Sequence, residues 1–156
     1  MTQVISLNNV NVQRDTKVIL RNLSWQAVEG QRWVIMGPNG AGKTTLMQIC
    51  SGYLHPTSGS ATILGTDIGS TDVRELRTRI GISSAAVSAL MPPAETVLNT
   101  VLTAAHGVVG RWREQYDDID LARAHAMLRA WGLDGMSSRT IATLSEGERK
   151  RVQIAR

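Results

Sequence analysis

Gly37-Pro38-Asn39-Gly40-Ala41-Gly42-Lys43-Thr44 decides the reading of this chain. The octet fits G-x-x-x-x-G-K-[ST], a phosphate-binding P-loop. Before it, Gln31-Arg32-Trp33-Val34-Ile35-Met36 predicts a buried strand; after it, Thr45-Leu46-Met47-Gln48-Ile49-Cys50 predicts the start of a helix. By chance the bare pattern turns up in roughly one chain per few hundred of this length, so the flanks carry the argument. Glycines let the backbone curl until several N–H groups face one cluster of phosphate oxygens, and the helix N-terminus adds a favourable dipole. Lys43 is placed to reach the β- and γ-phosphates, and the Thr44 hydroxyl to ligate Mg2+.

Working outward, Val4 to Val12 and Val18 to Val28 alternate as two antiparallel strands joined near Arg14-Asp15-Thr16-Lys17. Gly52 is placed to stop the P-loop helix. His55 to Gly59 is a turn, Ser60 to Leu64 a short strand, and Gly65-Thr66-Asp67 another turn. Thr71 to Arg79 predicts a helix and Ile80-Gly81-Ile82-Ser83 a further strand. Beyond Pro92-Pro93 the texture becomes helical. Ala94 to Ala105 is one helix; Asp118 to Trp131 is an amphipathic one, with apolar Leu121, Ala124, Leu128 and Trp131 and a stop at Gly132. Trp25 and Trp33 alternate with apolar neighbours and are expected in the core.

The 156 residues suffice for one domain with a real core, and 42% of them are hydrophobic. A net charge of +4 invites a nucleic-acid reading. The basic residues are scattered, apart from Arg149-Lys150-Arg151, and aromatics are too few for stacking platforms. That triplet reads as a solvated helix face, and no nucleic-acid partner is expected. Cys50, the single cysteine, excludes a disulfide framework and a zinc cluster and is expected as a small core residue. Met1-Thr2-Gln3-Val4 shows no secretory pattern, and no apolar run has bilayer length. The expected location is cytoplasmic, with any membrane association through a partner.

Leu144-Ser145-Glu146-Gly147-Glu148-Arg149-Lys150-Arg151 opens the last predicted helix. Ser145-x-x-Glu148 fits a capping box, in which Ser145 caps the helix and Glu148 reaches back. Together, this segment, the P-loop phrase Ile35 to Leu46 and the turn Ser51 to Gly59 resemble the ATP-binding cassette (ABC) ATPases across essentially the whole chain. The resemblance implies an α/β fold: a P-loop NTPase core with an N-terminal antiparallel β subdomain and a helical insert. Its implied divisions are residues 1–85, about 86–138, and 139–156 for the signature loop and helix.

The same resemblance implies ATP at Gly37, Pro38, Asn39, Gly40, Ala41, Gly42, Lys43, Thr44 and Thr45, with Mg2+ on Thr44. It implies a homo- or heterodimer of ATP-binding domains, in which Ser145 and Gly147 touch the ATP of the opposite subunit. Glu146 departs from the commoner L-S-G-G-Q and is expected to point away from phosphate. At about Arg14 the family usually offers an aromatic residue for adenine. A guanidinium can stack there, and a plain hairpin-turn arginine is an equal reading. No glutamine lies near Ala85, where the family supplies a group to Mg2+ and the attacking water; Ser83 or Ser84 is the candidate substitute. His55, His106 and His125 do not match the family's histidine and are expected in turns or solvent.

The chain ends inside the signature helix, so the resemblance places the aspartate for Mg2+ and the general base beyond Arg156. The expectation is a fragment of a longer ATPase, with no turnover alone and marginal stability. The implied function is the ATP-binding subunit of an ABC transporter, coupling ATP binding and hydrolysis to solute transport beside an integral membrane permease. The alternative is a soluble ABC-type ATPase with a regulatory or assembly role. The segment Ala85 to Val101, with apolar Val87, Leu90 and Met91, would separate the two by receiving a permease helix or by being plain core. The lack of N-K-x-D argues against a GTPase, and the signature argues against a nucleotide kinase.

Overall fold

Two twelve-residue strands open the computed structural model, which describes residues 2–111 and 114–156. β1 (Gln3–Arg14) and β2 (Lys17–Val28) pair antiparallel, with Arg14 opposite Lys17 across the turn Asp15-Thr16. Asp15 takes the left-handed conformation (φ 54) that a tight hairpin turn demands. β3 (Ser58–Ile63) adds to the other edge of β1, and β4 (Thr66–Asp67) closes a sheet of order β2-β1-β3-β4. Every pairing in that sheet is antiparallel.

The first of two compact units runs Met1–Leu76. Its core collects Leu7, Val10, Val12, Leu20, Ala61 and Ile63 from the sheet. Helix α1 (Lys43–Cys50) adds Leu46, Ile49 and Cys50. Burial pushes the Cys50 thiol up to about 11, so it packs as a small hydrophobe, as expected. α1 stops at Ser51-Gly52, where the expected glycine lies. α2 (Val73–Thr78) buries Val73 and Leu76.

Two expected strands do not form. Gln31 to Met36 carries no regular structure, and Val34 and Met36 are 83% and 86% exposed. Ile80 to Ser83 is likewise outside any strand. Both are short apolar runs of the kind that lie buried in parallel sheets, and a parallel strand exists only through its neighbours. Among the described residues none pairs with either, so apolar composition alone leaves them irregular. Trp33 follows its segment: expected in the core, it is 54% exposed, set edge-on against half-buried Trp25 at 5.5 Å.

The second unit, Arg77–Arg156, is helical. α4 (Val97–Leu102), α5 (Asp118–Ala130) and α6 (Glu146–Ala155) surround Leu102, Leu128, Leu133 and Val152, which are fully buried, while the short α3 (Ala85–Ser88) buries Val87. Each large aliphatic group so removed from water contributes about 2 kcal/mol. α4 continues as a 3-10 turn through His106, so the single helix expected from Ala94 to Ala105 forms but begins at Val97, because Thr96 caps it and bridges to Thr140. The helical reading of 86–138 spans positions 112 and 113, which lie outside the described residues. On α5, Ala124 and Leu128 face the core, whereas Trp131 is 38% exposed and not part of the apolar face.

Candidate functional site

The P-loop is shaped by its glycines and by one lysine. Ala41 N–H donates to the Pro38 carbonyl at 3.3 Å, closing a turn in which Gly40 takes φ 83 at the third position, as a type II turn requires. Gly42 caps α1 at φ 88, and a Cβ there would lie 2.6 Å from Leu20 Cδ2 and 3.1 Å from the Ile19 carbonyl. Glycine is therefore required at 42 on two counts: the left-handed backbone and the close approach of β2. The first α-helical bond runs from Leu46 N–H to the Gly42 carbonyl, 2.9 Å. No side chain caps this end. The N–H groups of Lys43, Thr44 and Thr45 thus point out of the helix without intrahelical partners, an arrangement that suits an anion.

Lys43 folds back over the loop. Its ammonium donates to the Gly37 carbonyl at 2.7 Å and the Pro38 carbonyl at 2.8 Å. The charge is held beside the N–H cluster, and a phosphate arriving there exchanges neutral acceptors for charged ones, which bind more strongly. Exposed Thr44 presents its hydroxyl at the same helix end. Mg2+ favours a few protein oxygens supplemented by phosphate and water. A single hydroxyl beside the phosphate pocket fits that habit, and among the described residues no group of three His, Cys, Asp or Glu side chains competes for the role.

The signature segment, in the second unit, is built differently. Ser145 caps α6 and accepts from Glu148 N–H at 3.3 Å, while Glu148 accepts from Ser145 N–H at 2.7 Å, so the expected capping box is complete. Arg139 braces it, its guanidinium 3.3 Å from Glu148. The Ser145 N–H above all, then the Ser145 side chain and Arg139, hold the Glu148 carboxyl below the usual carboxylate range. Ser145, Glu146 and Gly147 are exposed, and a Cβ on Gly147 would meet nothing within 4 Å.

The remaining expectations divide. Arg14 is exposed at the hairpin end. The hydroxyls of Ser83 and Ser84 are engaged: Ser83 donates to Gln153 Oε1 at 3.2 Å, and Ser84 caps α3 by accepting from Val87 N–H. Gln153 also donates to the Ser84 carbonyl, 3.3 Å. A buried glutamine on the last helix thus anchors the segment where a glutamine was sought. Val87 and Met91 are core, while Leu90 is 53% exposed.

Arg149-Lys150-Arg151 is not simply a solvated face. Arg151 donates to the Trp131 and Gly132 carbonyls at the C-terminus of α5, where a cation is favoured, and Arg149 donates to the Leu144 carbonyl. His55 is exposed in its turn; His106 lies 3.8 Å from Asp120 and edge-on to Tyr116. The Arg139 brace and the Gln153 anchor had no sequence signal, because each joins residues whose approach is set by the fold. No helix among the described residues is long and apolar enough to cross a membrane.

Comparison with known proteins points one way. The family described as ABC transporter matches residues 20–156. An uncharacterised ABC transporter ATP-binding protein of Bacillus subtilis is 35% identical over 154 residues, covering 98% of this chain and 58% of the relative. The ATP-binding protein of a manganese transport system from the same organism is 34% identical over 153 residues, covering 97% and 58%. Among solved structures, a dimeric ATP-binding cassette in a post-hydrolysis state with ADP and Pi aligns at TM-score 0.73 and 26% identity, over 97% of this chain and 67% of that one. A nucleotide-free cassette aligns at 0.72 and 22%, over 99% and 64%, which speaks to fold alone. The chain spans about 58% of the length of the curated relatives it matches first.

Proposed function

The chain belongs to the ABC transporter family, and from that premise we propose that it binds ATP on the P-loop as part of a transport ATPase. The observation that carries this reading is the start of α1: a glycine cap, unpartnered N–H groups at 43–45, and the Lys43 ammonium beside them. Gly37 to Thr45 receive the phosphates, with Thr44 as the protein's Mg2+ ligand. When bound, Mg2+ neutralises charge on the phosphate oxygens. Arg14, at the exposed hairpin end, stacks on adenine.

Ser145 and Gly147 serve a second subunit. In a homo- or heterodimer their exposed hydroxyl and N–H touch the γ-phosphate held by the partner's P-loop. Support comes from their position at an exposed, capped helix start and from the dimeric cassette among the structural neighbours. Residues 1–85 form the β subdomain and P-loop core, about 86–138 the helical subdomain, and 139–156 the signature loop and helix. Hydrolysis belongs to the whole protein, on the cytoplasmic side of a membrane and coupled to solute movement through a permease.

Titration with a fluorescent ATP analogue tests the nucleotide site. Lys43→Ala, with its fold verified by circular dichroism, is expected to weaken binding by an order of magnitude or more, about 1.4 kcal/mol for each tenfold. Unchanged affinity in a folded variant overturns the assignment. Ser145→Arg tests the trans contact: ATP binding by the monomer stays nearly intact, while ATP-driven dimers disappear from size-exclusion chromatography with light scattering. Dimers that form as before refute it.

A further inference from the structure

Asparagine occurs six times in the sequence, at 8, 9, 11, 22, 39 and 99, and only Asn39 precedes a glycine. The others precede Asn9, Val10, Val12, Leu23 and Thr100, whose side chains crowd the following backbone nitrogen. Several are also tied down. The Asn11 side chain donates to Ser58 and accepts from Asn22 N–H, and the Asn99 side chain donates to Glu95. Asn39 is exposed, and neither its carboxamide nor the Gly40 N–H has a hydrogen bond among the described residues. Around Gly40 nothing lies within 4 Å of a Cβ position. One 3.3 Å hydrogen bond closes the turn.

We propose that Asn39 is a modification site, at which spontaneous deamidation through the Gly40 nitrogen places a carboxylate in the P-loop and abolishes phosphate binding. The Gly40 nitrogen attacks Asn39 Cγ; the N–Cγ bond forms and the Cγ–Nδ2 bond breaks. Nδ2 leaves as ammonia, taking the Gly40 amide proton. Water then opens the resulting succinimide at either carbonyl, giving aspartate or isoaspartate. Water is the only co-reactant, and nothing is oxidised or reduced. Ring closure requires the Asn39–Gly40 peptide to rotate out of its turn, which so weak a closure permits. The product sets a negative charge against the triphosphate, and isoaspartate adds a backbone atom to the crest that shapes the N–H cluster. A bound nucleotide that pins the turn slows the reaction. The consequence for binding rests on the nucleotide-site reading above; the chemistry at Asn39 does not.

The protein is incubated warm in mildly alkaline buffer, with and without Mg-ATP, and digested with trypsin. The peptide Trp33–Lys43 contains Asn39 and no other asparagine. It is expected to gain the mass difference between amide and acid and to accept a methyl group from an isoaspartyl methyltransferase, more slowly when Mg-ATP is present. The number of ATP-analogue binding sites, measured in parallel, falls in proportion to the modified fraction. Asn39→Gln, whose longer side chain closes a ring far more slowly, keeps its mass and, whatever affinity it has when fresh, loses no further binding sites during the incubation. An unmodified Trp33–Lys43 peptide overturns the proposal. So does modification without loss of binding sites, or an equal loss of binding sites in Asn39→Gln. Fresh protein that binds no ATP refutes the nucleotide reading and the binding consequence with it, while the peptide masses still decide the chemistry.

Discussion

The starts of α1 and α6 are the two helix N-termini that the sequence marks most strongly, and they handle their free N–H groups in opposite ways. α1 begins on Gly42 with no side-chain cap, leaving donors for a ligand. α6 begins on Ser145 with both halves of a capping box made, and Arg139 bracing it. One terminus is completed from outside and the other from within. A self-capped terminus retains its dipole but presents fewer empty donors. What α6 still presents is an exposed serine and the open face at Gly147.

Breaking the open terminus gives the largest effect. Gly42→Ala forces a Cβ into the left-handed region, costing roughly 1–2 kcal/mol, and drives it into Leu20 and the Ile19 carbonyl. The urea midpoint followed by tryptophan fluorescence is expected to fall, and ATP-analogue binding to be lost with it. A fully stable variant would show that the loop can move away from β2.

Ser145→Ala breaks the closed terminus at a cost of about 1 kcal/mol, the usual value for a lost cap. Here urea unfolding followed by circular dichroism falls modestly, while ATP-analogue affinity holds. That split is the sharpest contrast between the two helices; loss of both together would erase it.

The smallest effect separates charge from shape in the box. Glu148→Gln keeps a group able to reach back and removes the carboxylate. Because the folded pKa of Glu148 is lowered, its contribution is full above the unfolded carboxylate value and is lost as pH falls through the folded one. Wild type is therefore slightly more stable than Glu148→Gln at neutral pH, and the gap closes in acid. A gap that persists at low pH would assign the effect to shape alone.

Much of the candidate site was legible because its signals are local. Gly37 to Thr44, Ser145-x-x-Glu148, Gly52 and the Arg14–Lys17 turn each act within one turn of chain. Illegible were the partners of Glu148 and Ser83. Arg139 lies nine residues from Glu148 and Gln153 seventy from Ser83, so only packing brings them together. The two missing strands failed for the converse reason. Gln31 to Met36 and Ile80 to Ser83 have strand composition, but a strand's hydrogen bonds belong to its neighbours.

By itself, then, the sequence determined the hairpin, the P-loop, the caps and the composition of the helical unit, because hydrogen bonds within a turn and the two-residue and 3.6-residue periods are written along the chain. Tertiary structure alone decided which apolar runs become buried, setting Val34 and Met36 in solvent and Val87 and Met91 in the core. It also decided which basic residues bind carbonyls, as Arg151 does at the end of α5. Burial and long-range pairing depend on what another part of the chain brings alongside, and no local pattern carries that information.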